Sequence, residues 1–122
     1  MTLSRIILET GMGNDLYGED YSKAACRAVE DAIHHSSLVL FRSLNLRSEL
    51  MKVNVTIGIA KPNLVDLELV KSKLPHGEVS VRAIKGGLNV DDNENATVSV
   101  IATAAVEAFI EIHRDKYEIN KT

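Results

Sequence analysis

The chain has 122 residues, a net charge of −3 and a pI near 5.8, and its length fits one domain over residues 1–122. No basic cluster is present, so the composition argues against a nucleic-acid partner, and no apolar run is long enough to span a bilayer. The single cysteine, Cys26, allows no internal disulfide and suits a reducing compartment. Because the N-terminus is too polar for a secretory signal, we expect a cytoplasmic protein.

The first part of the chain predicts strand, helix, strand and helix in that order. Residues 3–8 indicate a short strand with β-branched Ile6 and Ile7, and a glycine-rich loop follows at residues 11–18. Alanines at helical spacing give residues 22–35 a small apolar face, which lets that helix lie close against a sheet. Strict alternation predicts a strand over Met51–Ile59, and a second helix is predicted from residue 62 to residue 74.

Alternation returns in the last part of the chain. It predicts strands over residues 78–84 and 88–90. Residues 97–112 fit either an alternating strand or a helix stripe. Their many β-branched side chains favour strand, as one piece or broken near Thr103. Residues 114–122 are charged and are predicted to form a mobile tail.

The order of these elements predicts an α/β fold with a mixed sheet of four to five strands and two helices packed on one face. Two helices are few for so many strands, and the other alternating face of the sheet lacks a cover. A further subunit can supply that cover, so we expect a homo-oligomer. The alternative is a monomer with a solvated outer sheet face.

A motif that resembles a known signature lies at residues 11–18, GMGNDLYG. The signature is Gly-x-Gly-x-Asp-x-His-Gly, from an uncharacterised family of small bacterial and plant proteins. Residues 23–33, KAACRAVEDAI, are similar to the first helix of that family. Tyr17 stands where the signature has histidine, which replaces a metal-binding group with a hydrogen-bonding or weakly acidic one.

The size and element order are also similar to those of Bacillus-type chorismate mutase and YjgF-like proteins. This resemblance implies a chorismate mutase-like fold. It also implies a trimer, or a multiple of three, with small-molecule sites in clefts between subunits. Fold alone does not fix function.

The glycine-rich segment predicts a ligand site. Asp15 and Tyr17 lie two residues apart and can face one pocket, where the carboxylate accepts a proton and the phenol donates one or holds an oxyanion. The alternative is that Asp15 caps its own turn and Tyr17 packs over the sheet edge. The predicted catalytic residues are therefore Asp15 and Tyr17, and the predicted ligand-binding residues are Gly11, Gly13, Asn14, Gly18, Lys23 and Arg27.

Basic side chains near the segment can hold an anion. Lys23 and Arg27 share a helix face and can bind a substrate carboxylate. They equally suit ordinary surface pairs, Arg27 with Asp31 and Lys23 with Glu30. Arg82 and Lys85 lie near the end of the third strand. The chorismate mutase resemblance implies that such positions can line a cleft of the trimer, and a surface role suits them equally.

Other chemistries fit the sequence less well. The segment lacks the third glycine of a dinucleotide fingerprint and the lysine of a P-loop, and Asp15 would repel a phosphate. His34 and His35 are adjacent and point in different directions on a helix, so no metal site is predicted. Cys26 lacks a paired histidine and is expected to be a small buried residue. We predict no metal and no cofactor.

The sequence therefore predicts a small-molecule enzyme or binder with a subunit-interface site built on residues 11–18. Its ligand would be a polar metabolite, either carboxylated or a cyclic amide. The alternatives are a non-catalytic metabolite-binding or regulatory module and a purely structural oligomer. Convergence of Asp15, Tyr17 and Arg27 on one pocket would favour a ligand site, and turnover would separate an enzyme from a binder.

Overall fold

The computed structural model describes residues 2–34, 51–74 and 77–112. Within these ranges the elements are, in chain order, β1 (Thr2–Asp15), α1 (Tyr21–His34), β2 (Met51–Ile59), α2 (Leu67–Lys71), β3 (Glu78–Lys85), β4 (Leu88–Asp92) and β5 (Thr97–Ile112). The predicted α/β class, with a mixed five-stranded sheet and two helices, is confirmed. The predicted tail at 114–122 and the predicted helix end at residue 35 lie outside the described residues.

The long strand β5 is the centre of the sheet. The sheet order is β1–β5–β2–β3, and β4 also pairs with β5. β1 runs antiparallel along one side of β5, while β2 and β4 pair with its other side, and β2 and β3 are parallel. Of the alternatives for residues 97–112, one continuous strand is observed, and Thr103 pairs with Met12 on one side and with Gly58 on the other.

The first strand is much longer than the sequence indicated. The predicted loop over residues 11–18 is wrong for its first half, since β1 continues to Asp15 and only residues 16–20 form the turn. Gly11 and Gly13 pair with alanines of β5, and neither has a positive φ. The backbone conformation therefore does not require glycine at these two positions. What requires it is the close packing of α1, described below.

The second helix is shorter than predicted. A single turn of 3-10 helix at Pro62–Leu64 precedes α2, because Asp66 starts a new helix by accepting the backbone N–H groups of Glu68 and Leu69. The Asp66 N–H donates to Ser22 Oγ at 2.8 Å, which ties α2 to α1. None of the described helices is long and apolar enough to cross a membrane.

The core lies between the two helices and one face of the sheet. Alternate residues of Met51–Ile59 are buried against it. The predicted close approach of α1 is confirmed by its fully buried alanines, Ala24, Ala25, Ala28 and Ala32. No described element covers the opposite face, which we call the open face. It carries the exposed apolar side chains Leu3, Leu8, Met12, Ile84, Leu88 and Val90.

Candidate functional site

Helix α1 lies directly on two glycines of β1. A Cβ atom at Gly11 would meet the backbone of Ala28 and Ala32, and one at Gly13 would meet the backbone of Ala24 and Ala28. Two residues of a strand rise by about 6.7 Å, and four residues of a helix rise by about 6 Å. The glycine spacing therefore matches the alanine spacing, and strand and helix touch backbone to backbone. Both predicted ligand-binding glycines face this helix.

Side chains of α1 also cover the free edge of β1. Met12 N–H donates to Asp31 Oδ2 at 2.9 Å, and Arg27 Nη1 donates to the Asn14 carbonyl oxygen at 2.7 Å. Because β1 is an edge strand, these backbone groups have no strand partner of their own. Asp31 and Arg27 therefore supply the hydrogen-bond partners of two backbone groups on the free edge of β1.

The turn between β1 and α1 folds around the Asp15 carboxylate. Asp15 is 6% exposed, and its Oδ2 accepts the Asp20 N–H at 2.9 Å. A Cβ atom at Gly18 would lie only 2.8 Å from the same oxygen. Asp20 in turn caps α1 by accepting the Lys23 N–H at 3.0 Å. The carboxylate thus fixes the geometry of the turn and of the helix start.

Two cations converge on the same carboxylate. Lys23 Nζ lies 4.0 Å and Arg27 Nη1 lies 3.9 Å from Asp15 Oδ1. Both basic side chains are about half exposed, at 53% and 47%, so each pair contributes little to stability. We call these three residues the Asp15 cluster. Its formal charge is positive, since it holds two cations and one anion.

Tyr17 does not join the Asp15 cluster. It is 74% exposed, and within the described residues no hydrogen bond or ion pair joins it to the cluster. The strand ends at Asp15, so side chains two apart no longer share a face, and the Leu16 carbonyl beside it accepts from Ser99 Oγ. A catalytic pairing of Asp15 with Tyr17 stays a prediction.

Cys26 is buried within α1. Burial raises the pKa of its thiol above the ordinary value, and the nearby Lys73 ammonium offsets this only in part. The thiol is therefore protonated at neutral pH, which disfavours a nucleophilic role. Within residues 2–34, 51–74 and 77–112, no three His, Cys, Asp or Glu side chains are grouped to hold a metal.

A polar depression of about 360 Å³ lies on the open face. Within it, Arg82 Nε donates to Thr56 Oγ1 at 3.0 Å, and Glu107 Oε2 pairs with Arg5 Nη1 at 3.3 Å. We call it the open-face depression. Its lining residues are Asn54, Val55, Thr56, Ser80, Val81, Arg82 and Glu107.

The sequence analysis named Arg82 but missed the other polar side chains of this depression. A partial signal was available, since Asn54 and Thr56 alternate with buried valines and so share the outer face of β2. Their meeting with Glu107 and Ser80 depends on how β2 pairs with β5 and with β3. That register is not readable from one sequence.

Comparison with known proteins identifies the family of the chain but no activity. The chain is 32% identical to an FtsZ-like protein of unknown function from Nostoc punctiforme, whose crystal structure it matches with a TM-score of 0.79 over 92% of this chain and 99% of that one. No curated protein matches. The signature at residues 11–18 and the chorismate mutase likeness stay predictions. The model of an uncharacterised family matches residues 5–108, so the chain belongs to the family described as Conserved hypothetical protein (Lin0512_fam).

Proposed function

We propose that the protein binds a small carboxylated metabolite at the Asp15 cluster. The observation that supports this is the convergence of two half-exposed cations on one buried carboxylate, which leaves one positive charge of the Asp15 cluster unbalanced by Asp15. Arg27 is already held by the Asn14 carbonyl, so it loses less side-chain entropy when it binds a ligand.

The other predicted site residues either position the site or can contact the ligand in this proposal. Gly11 and Gly13 position α1, while Asn14 and Gly18 frame the turn. Tyr17 projects from the turn as an exposed phenol and can donate a hydrogen bond to a bound ligand. If the protein is an enzyme, Asp15 and Tyr17 are the groups that would transfer a proton, and turnover of a bound carboxylate is the observation that separates enzyme from binder.

Replacing either cation should weaken carboxylate binding. For Lys23→Gln and Arg27→Gln we expect the affinity for succinate, measured by isothermal titration calorimetry, to fall by roughly tenfold or more, because each change removes a charge-assisted contact. Lys85→Gln removes an exposed lysine from β3 and is the matched control. Equal succinate binding by all four proteins, wild type included, would exclude the Asp15 cluster as the site.

A purely structural role for residues 11–18 is the second candidate. The observations that favour it are the packing of Gly11 and Gly13 on α1 and the hydrogen bonds that Asp31 and Arg27 make to the edge of β1. If residues 11–18 have only this structural role, Arg27→Gln should lower the stability slightly and leave succinate binding unchanged. The calorimetric experiment above therefore separates the two candidates.

We also propose that the protein is a homo-oligomer, a trimer or a multiple of three, assembled through the open face. Exposed apolar side chains are spread over one side of three strands there, notably Leu8 and Met12 on β1 and Leu88 on β4. Strand lengths and spacing give this face an area on the order of 800 Å². That is the share of one partner in a standard interface.

A charge on the open face should prevent assembly. For Leu8→Glu we expect a single species near 13.4 kDa by light scattering at micromolar concentration, because the carboxylate cannot be desolvated inside an apolar interface. Leu69→Glu is the control, since Leu69 is similarly exposed but lies on α2, on the other side of the sheet. A wild-type protein that already runs at 13.4 kDa contradicts the proposal.

A further inference from the structure

We infer that the open-face depression is a binding site for a small hydroxylated monocarboxylate, such as a sugar acid. The site is separate from the Asp15 cluster and does not rest on ligand binding there; it lies on the open face, so in the oligomer proposed above it faces the partner subunit. Five polar side chains of three neighbouring strands share it in two adjacent rows. Its volume of about 360 Å³ lies at the small end of the range for ligand pockets.

Arg82 supplies the guanidinium group that binds the carboxylate of the ligand. Its Nε–H donates to Thr56 Oγ1 at 3.0 Å, which fixes the plane of the guanidinium. The terminal nitrogens then form a fork of the kind that binds a carboxylate in bidentate fashion. Thr56 stands opposite Arg82 in the register of β2 and β3, so sheet pairing itself orders this arrangement before any ligand arrives.

The charges around the depression favour a single negative charge on the ligand. Glu107 lines it, but its carboxylate is already paired with Arg5 at 3.3 Å. Arg82 is the only cation among the lining residues, and within the described residues no ion pair joins it to Glu107, which is held by Arg5 instead. A monoanion completes the charge balance, whereas a dianion would bring excess charge close to Glu107.

The remaining lining side chains favour hydroxyl groups on the ligand. Asn54 stands directly opposite Glu107 on one side and Ser80 on the other. This row presents a carboxylate oxygen, an amide and a hydroxyl across three strands, and each of them can exchange hydrogen bonds with an alcohol. Strand spacing and rise place the Cα atoms of Arg82 and Glu107 about 12 Å apart, which leaves room for a short polyhydroxy chain.

The test uses three six-carbon probes that differ in one property each. D-Gluconate has both a carboxylate and hydroxyl groups, sorbitol lacks the carboxylate, and hexanoate lacks the hydroxyl groups. In a ¹H–¹⁵N NMR titration of the full chain, gluconate should shift the amide signals of Asn54, Thr56 and Ser80. Sorbitol and hexanoate should bind roughly tenfold or more weakly, because sorbitol cannot make the charge-assisted contact with Arg82 and hexanoate cannot hydrogen-bond the polar side chains beside it.

Two variants test the role of Arg82. Arg82→Gln should weaken gluconate binding by roughly tenfold or more, while Lys85→Gln, three residues along the same strand, should bind like wild type. Equal binding by Arg82→Gln, or equal binding of sorbitol and gluconate, would overturn the proposal. Shifts confined to the signals of Gly18 and Lys23 would also overturn it, since they place gluconate at the Asp15 cluster. A failure of succinate binding there leaves this result untouched.

Discussion

Gly13→Ala is expected to lower the free energy of unfolding by about 3 kcal/mol or more. The added Cβ would meet the backbone of Ala24, Arg27 and Ala28. Backbone atoms cannot move aside as a flexible side chain can, so α1 must shift away from β1 and lose packing with the sheet. Urea denaturation followed by circular dichroism measures this loss, and Gly11→Ala should behave in the same way.

Thr10→Ala is the matched control for this prediction. It places an alanine in the same strand, but on an exposed position that does not face the helix. We expect a change within about 0.5 kcal/mol. If Gly13→Ala and Thr10→Ala give the same free energy of unfolding, α1 does not lie as close to β1 as the structure has it.

This glycine pair shows where reading the sequence fails. The alanine face of α1 indicated a helix that lies close to its neighbour, and that expectation is confirmed. The partner surface was not identified, because glycine disfavours strands by propensity and is common in loops. Whether a glycine bends the chain or admits a helix depends on what packs against it. Spacing along one strand does not reveal that partner.

The strands were easier to predict than their pairing. Alternation located Met51–Ile59 and Glu78–Lys85 nearly to the residue, because each strand buries one face. Alternation alone does not predict the open-face depression, because its hydrogen bond from Arg82 to Thr56 joins residues 26 apart in sequence. Such contacts depend on the register between strands, which local patterns leave open.

The arrangement of side chains around residues 11–18 was predicted in part. Lys23 and Arg27 do lie together beside Asp15, as their four-residue spacing on one helix face allows. Tyr17 was expected to share a face with Asp15, but β1 ends between them and the chain turns. The end of a strand is set by its pairing with β5 and by the capping of α1 at Asp20. Neither feature is local to the motif.

Replacing Asp15 should affect stability and carboxylate binding in opposite directions. Asp15→Ala removes the acceptor of the Asp20 N–H and the counter-ion of Lys23 and Arg27. We expect it to lower the free energy of unfolding by about 2 kcal/mol. Asp15→Asn keeps an oxygen that can accept that N–H and should cost about 1 kcal/mol. Urea denaturation measures both, and Asp91→Asn, at an exposed carboxylate of β4, is the control.

Binding provides the sharper test of what Asp15 does. If its carboxylate serves only to hold the turn and balance Lys23 and Arg27, Asp15→Asn leaves those cations with more net charge, and succinate should bind several-fold more tightly. If Asp15 instead contacts the ligand or transfers a proton, Asp15→Asn should abolish binding or turnover while unfolding changes little. The buried, hydrogen-bonded position of the carboxylate leads us to expect the first outcome, with the ligand facing the two half-exposed cations.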